Sequence, residues 1–160
     1  MQADTDFFVR AADNNNIPSI KNVVFSVLKE YGLKPDSSGI DKDLEDAQGN
    51  YYYKNGFFGV VLNNAAKEIV GTFGLYQINK NVCELRKMYL MKNARGIGLG
   101  NLMLTKAIET AKEMNYKKIV LETISPLKEA ISLYKKFGFT PVSPHKINYR
   151  VDQAFELNIT

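Results

Sequence analysis

Cysteine and histidine are nearly absent from this chain of 160 residues: Cys83 and His145 are the only examples, and there is no tryptophan. One cysteine excludes an intramolecular disulfide, and one histidine leaves no cluster for zinc or another soft metal, so no metal is expected. Five prolines and 11 glycines are too few for a collagenous or low-complexity chain. No apolar run approaches membrane-spanning length, and Asp4 and Asp6 stand where a secretory leader would be basic. A cytoplasmic protein without a membrane partner is the expectation. With 45% hydrophobic and 24% charged residues, the composition fits one globular domain over residues 1–160 with a single buried core.

Charge is divided unevenly. Residues 1–79 carry 7 Lys and Arg against 10 Asp and Glu, while residues 80–160 carry 14 against 7. The C-terminal half therefore faces anions. Its cations are scattered over several elements without an arginine stripe or interleaved aromatics, which favours a small phosphorylated ligand over nucleic acid.

The periodicity predicts an α+β fold. Phe7 to Arg10 alternates as a short strand, and Ile17 to Tyr31 carries apolar residues at helical spacing. The stretch from Gly32 to Gly49 reads as a loop or short helix. Phe57 to Leu62, Glu68 to Ile78 and Val82 to Leu90 form an antiparallel meander broken at Asn63-Asn64 and Asn79-Lys80-Asn81. Leu99, Leu102, Met103, Ala107, Ala111 and Met114 line one face of a long helix, followed by a strand at Lys118 to Thr123. Pro126 begins another helix with Leu127, Ala130, Ile131 and Tyr134 on its apolar face, Gly138 stops it, and Phe139 and Ala154 to Ile159 supply closing strands.

Between the strand ending at Leu90 and the helix lies Arg95-Gly96-Ile97-Gly98-Leu99-Gly100. Glycines let a backbone approach phosphate oxygens, and the free amides and dipole of the following helix favour an anion. Asn101 breaks the dinucleotide fingerprint, and no Gly-Lys-Ser or Gly-Lys-Thr follows as a nucleoside triphosphate loop requires. A tight turn without a ligand stays open.

The string CELRKMYLMKNARGIGLGNLML, Cys83 to Leu104, resembles motif A of the GNAT superfamily of acyl-CoA N-acyltransferases, with Arg95, Gly98 and Gly100 on its Arg/Gln-x-x-Gly-x-Gly/Ala signature. AISLYKKFGF, Ala130 to Phe139, resembles motif B, and Phe8-Val9-Arg10-Ala11 with Asp13 resembles the family's first strand and turn. The likeness spans most of the chain and is weak from Gly32 to Tyr53 and after Pro141. Lys92 stands where many members have proline, and Leu127 near where many have asparagine.

The resemblance implies a central mixed, mostly antiparallel sheet flanked by helices, with Val82 to Leu90 bulged and splayed from Lys118 to Thr123. It implies acetyl-CoA as acyl donor: Arg95, Gly96, Ile97, Gly98, Leu99 and Gly100 would hold the pyrophosphate. The amides and carbonyls of Met88, Tyr89 and Leu90 would hold the pantetheine arm, the Leu90 amide facing the oxyanion. N-acylation also needs a base and an acid. Glu84 is the candidate base, or else a strand carboxylate paired with Arg86 or Lys87. Tyr134 is the candidate acid for the departing thiolate, or else a core tyrosine.

Cys83 reads as a buried thiol, and His145 as an acceptor-pocket or surface-loop residue. Asp36, Asp41, Asp43, Glu45 and Asp46 either edge a pocket for a cationic amine or cap a solvated loop. Tyr51, Tyr52 and Tyr53 receive no role. The expected activity is acetyl transfer to a small amine, amino acid or peptide in a ternary complex. A non-catalytic acyl-CoA sensor is the alternative, and a homodimer follows by analogy alone.

Overall fold

The structure is a computed structural model that describes residues 6–160; Asp4 and the other residues of 1–5 in the expected domain lie outside the described residues. Strand β1 is Phe7–Ala11, helix α1 is Ile17–Glu30, and one turn of helix, α2, spans Ala47–Asn50. The meander comprises β2 at Phe57–Asn63, β3 at Glu68–Asn79 and β4 at Val82–Leu90. Helix α3 at Leu99–Glu113, β5 at Lys118–Thr123, α4 at Lys128–Lys136, β6 at Thr140–Val142 and β7 at Gln153–Asn158 complete the chain.

These strands make one seven-stranded sheet in the order β1-β2-β3-β4-β5-β7-β6. The β4–β5 pair is parallel and every other pair antiparallel, because α3 carries the chain back across the sheet between those two strands. The mixed, mostly antiparallel sheet expected from the sequence is therefore present.

Each sheet face buries one apolar cluster. Helix α1, opened by Pro18 in its first turn, sets Ile20, Val23, Val24 and Leu28 against Phe58, Val60 and Ile69. Helices α3 and α4 set Met103, Leu104, Ala107, Ala111, Ile131 and Tyr134 against Phe73, Leu85, Ile119 and Leu121. Fully burying one such side chain is worth about 1.5–3 kcal/mol, so both helix layers are firmly held. The three long helices stop alike: Gly32, Asn115 and Gly138 take positive φ, and the next residue's amide bonds back to Leu28, Ala111 or Tyr134.

Two local expectations change. Leu102 is exposed and Leu104 takes its place in the core, since Leu102 sits five residues before Ala107, about 140° round the helix. Pro126 lies in the turn before α4, which begins at Lys128.

The positioning of the site comes from β4. Its pairing with β3 passes from Thr72↔Tyr89 to Gly74↔Arg86, so β4 holds one extra residue, and Lys87 there has φ +53°. The Thr72 hydroxyl donates to the Lys87 carbonyl at 2.7 Å and fixes this bulge. On the other side, β4 pairs with β5 only at Val82↔Lys118, Cys83↔Ile119 and Glu84↔Val120. Beyond Glu84 the two strands part.

Candidate active site

The parted strands open a cleft of about 680 Å³, a common size for a small-molecule site. Residues 84–90 of β4 form one wall, and Glu122 and Thr123 of β5 with Ala130, Leu133 and Tyr134 of α4 form the other. Val27 and Leu28 of α1, Tyr31 just after it and Arg150 of the β6–β7 loop line it as well. Gly96, Gly98, Leu99, Gly100 and Asn101 bound it where α3 begins.

Each glycine of the loop has its own reason. Gly96 and Gly98 adopt φ of +83° and +90°, which L side chains rarely do, and a Cβ on either would meet nothing within 4 Å. The space beside them is open to a ligand. A Cβ on Gly100 would come 3.2 Å from Leu133 Cδ2, so this glycine lets α3 lie close to α4. Gly98 is the N-cap and supplies no side chain, leaving the first amides of α3 without intrahelical acceptors. Ile97 shares the loop, but its side chain lies outside the cleft, 43% exposed, in a shallow groove with Phe8 and Leu102.

Arg95 behaves differently from a free cation at the mouth. Its Nη1 and Nη2 donate to the two Glu30 carboxylate oxygens at 2.7 and 2.8 Å. Its Nε and Nη2 also donate to the Leu90 carbonyl at 3.0 and 2.8 Å. Glu30's hydrogen bonds to Arg95 hold its carboxyl below the ordinary range. The side chain is a clamp joining α1, β4 and the loop, and the Leu90 carbonyl expected to pair with a pantetheine arm is already taken.

Glu84 lines the cleft, but Arg86 Nε lies 2.6 Å from its Oε1, and the Arg86 guanidinium stacks 3.7 Å from the centre of the Tyr76 ring. The unpartnered carboxylate is Glu122 on β5, whose buried Oε2 has no hydrogen-bond partner among the described residues. Glu84 is level with Val120, and side chains two apart share a face, so Glu122 stands on the same sheet face as Glu84, facing the cleft. The sequence reading did not single it out. One glutamate within Lys118 to Thr123 carries no signal until the splay removes its cross-strand neighbour on β4.

Tyr134 belongs to the core and also reaches the cleft. It is buried against Phe139 and Phe155, yet it lines the cleft, and its hydroxyl bonds to no protein group among the described residues. Burial pushes its phenol up, with Tyr89 adding to the shift, so it stays protonated and able to donate. Burial likewise pushes the Tyr89 phenol up to about 12. Cys83 is fully buried, and desolvation pushes its thiol up to about 12, which leaves no thiolate for a covalent route. His145 lies exposed on the β6–β7 loop.

The five acids of the N-terminal half do not form a free acidic pocket. Asp41 is fully buried and takes Arg150 Nη1 and Nη2 at 3.0 and 2.7 Å. Lys87, delivered by the bulge, lies 3.4 Å from Asp41 and 3.2 Å from Asp43. Burial raises the Asp41 carboxyl, but Arg150, the Asp36 amide and Lys87 outweigh it and hold it below the ordinary range. Asp43 also accepts the Tyr51 hydroxyl, Asp36 and Asp46 cap turns, and Glu45 pairs with Lys21 at 2.6 Å. Of the three tyrosines, Tyr51 is core and Tyr53 is exposed. The Tyr52 hydroxyl lies 2.6 and 2.8 Å from the Ala12 and Phe58 carbonyls. None lines the cleft, and Tyr52 to Lys54 form a helical turn, not a strand.

Comparison with known proteins agrees with this geometry. The model of the acetyltransferase (GNAT) family matches residues 24–139. The uncharacterized N-acetyltransferase YjgM of Escherichia coli K12 is 36% identical over 127 residues, covering 76% of this chain and 75% of that protein. A GNAT-family acetyltransferase from Staphylococcus aureus Mu50 superposes with a TM-score of 0.88 at 27% identity, covering 96% of this chain and 99% of that one. The yncA structure from Salmonella typhimurium, solved with its cofactor acetyl-CoA, shares the fold with a TM-score of 0.75 at 17% identity, covering 97% and 95%. The chain belongs to the GNAT acetyltransferase family, and its class is that of acyl-CoA-dependent acetyltransferases. Among the described residues no helix is long and apolar enough to cross a membrane.

Proposed function

We propose that the chain is an N-acetyltransferase that moves an acetyl group from acetyl-CoA to a primary amine by direct transfer in a ternary complex. The observation that carries this reading is the continuous cleft from the uncapped start of α3, past the unpaired edge of β4, to the lone carboxylate of Glu122.

The residues present fit acetyl-CoA. Open space beside Gly96 and Gly98, with the free amides of Leu99, Gly100 and Asn101, suits a pyrophosphate. The edge of Met88 and Tyr89 with the Leu90 amide, beyond the last β4–β5 pair, suits the pantetheine arm as an added strand, the Leu90 carbonyl being held by Arg95. Bound there, the coenzyme supplies an acetyl group activated as a thioester.

The protein's part is proton management and placement. Glu122, the carboxylate without a protein partner, accepts the proton that the amine loses as its nitrogen bonds to the acetyl carbon. Glu84 holds Arg86 in place. The Leu90 amide stabilises the negative charge that builds on the acetyl oxygen. The Tyr134 hydroxyl gives its proton to the thiolate released when the carbon–sulfur bond breaks, and the inert Cys83 supports direct transfer over a cysteine-linked intermediate.

Calorimetric titration with acetyl-CoA tests the coenzyme site, with Gly98→Glu placing a carboxylate where the pyrophosphate belongs and Gly98→Ala controlling for backbone strain at φ +90°. Micromolar binding retained within about tenfold in the alanine variant and lost in the glutamate variant is expected. A folded wild-type protein that binds no acetyl-CoA would refute the reading.

A further inference from the structure

Two buried polar atoms of the cleft's lining residues lack partners among the described residues, and they are of opposite kind. One is the acceptor atom Glu122 Oε2 and the other the donor atom Arg150 Nε. The Arg150 side chain is only 6% exposed, and the turn closed by the Asn148↔Val151 bridge, with the Arg150 amide donating to Asn148 Oδ1 at 2.7 Å, holds it there. Its Nη1 and Nη2 are spent on Asp41 and on the Lys34 carbonyl at 2.8 Å. Nε is the one guanidinium nitrogen left without any partner among the described residues.

The other charges at this end cancel. Lys87 serves Asp41, Asp43 and the Ile40 carbonyl at 3.1 Å, and Glu84 serves Arg86. The buried wall thus offers one unbalanced negative group, Glu122, and one spare donor, Arg150 Nε. A polyamine would bring several cations to a buried wall whose one free carboxylate is Glu122, the other unpaired acid of the lining, Glu129, being exposed. A simple alkylamine would satisfy Glu122 and leave Arg150 Nε unpaired in a desolvated place, which is costly.

We infer that the acceptor is an amine carrying a hydrogen-bond-accepting oxygen beside its amino group, the chemistry of an α-amino acid or of a peptide N-terminus. The amine meets Glu122 and the oxygen meets Arg150 Nε. This assignment rests on the acetyltransferase reading of the same cleft and fixes the substrate class within it.

The test uses thiol release from acetyl-CoA with matched sets of probes: L-amino acids, the corresponding amino acid amides, and the amines left when the carboxyl group is removed. Within a set, the oxygen-bearing members should exceed the oxygen-free amine by about tenfold or more in kcat/KM. The amino acid against its amide separates a free carboxylate from a peptide-like carbonyl. Arg150→Lys keeps a cation for Asp41 but lacks Nε. It should raise the KM of the oxygen-bearing acceptor about tenfold, leave the KM of acetyl-CoA unchanged and erase the preference. The probe comparison on the unaltered protein stands even if that variant folds poorly.

Oxygen-free amines or spermidine used equally well would overturn the inference. So would acetyl-CoA binding with no turnover of any oxygen-bearing probe. Absence of acetyl-CoA binding would instead refute the transferase reading and remove the inference with it.

Discussion

Replacing Glu122 by glutamine tests chemistry and packing together, because the two effects have opposite sign. The change keeps the shape and removes a carboxylate whose Oε2 is buried and unpartnered. If Glu122 takes the amine's proton, kcat should fall by about 10²- to 10⁴-fold, the usual contribution of a positioned base. An unsatisfied buried group costs about 1–3 kcal/mol, and more when charged, whereas a glutamine there keeps the unpaired atom but loses the charge. A stability gain of about 1 kcal/mol follows, or roughly 2–4 °C in Tm for a chain of this size. Glu84→Gln should behave the other way: it breaks the 2.6 Å pair with Arg86, lowers stability by up to about 1 kcal/mol and leaves kcat within about tenfold. Thiol-release kinetics and calorimetric melting of both variants read the four quantities. A larger kcat loss in Glu84→Gln than in Glu122→Gln would refute the assignment of the base, and a marked Tm loss in Glu122→Gln would refute the claim that its charge is unpaired.

Tyr134→Phe removes a hydroxyl that makes no protein hydrogen bond among the described residues, so stopped-assay kcat should fall by about 10²-fold while Tm and acetyl-CoA affinity stay near wild type. Asp41→Asn leaves Arg150 and Lys87 buried beside a neutral amide, and denaturant titration at neutral pH should show a loss of about 3–5 kcal/mol. The Asp41 carboxyl is depressed below its ordinary 3.8 in the folded state, so its contribution is present above about pH 4 and is lost as pH falls through the folded value. Acid titration of stability should therefore fall less steeply below about pH 4 in the variant than in the unaltered chain.

Local pattern carried most of the fold. Alternation and helical spacing placed β1 to β5 and the three long helices, because each buries one face and each face repeats with its own period. The glycine loop was equally readable, since positive φ at Gly96 and Gly98 and close packing at Gly100 are demands that short residue strings express. What escaped was pairing across distance. Nothing local says that Asp41 and Asp43 belong to Arg150 and Lys87, more than 100 and 40 residues away in sequence, so neither the amine-pocket nor the loop-cap reading of the acids anticipates these pairs. Glu122 escaped for the same reason, its significance arising from a neighbour that is missing. The Arg95–Glu30 pair escaped likewise, because Glu30 lies at the far end of α1, 65 residues from the loop.

The extra residue in β4 accounts for several of these features at once. Before it, Leu85 packs toward α3 and α4 while Glu84 and Arg86 face α1; after it, Met88 and Leu90 return to the α3 side and Tyr89 to the α1 side. Without the bulge, strict alternation would put Met88 on the face of Arg86 and Tyr89 in the opposite core. The inserted Lys87, turned to φ +53°, sends its ammonium to the Asp41–Asp43 pair. The same kink accompanies the parting of β4 from β5 and leaves free the edge proposed to receive the coenzyme. Removing the bulge would therefore both close the cleft and leave two buried carboxylates with a single cation. That ties the integrity of the proposed acceptor end to the geometry of the proposed coenzyme end.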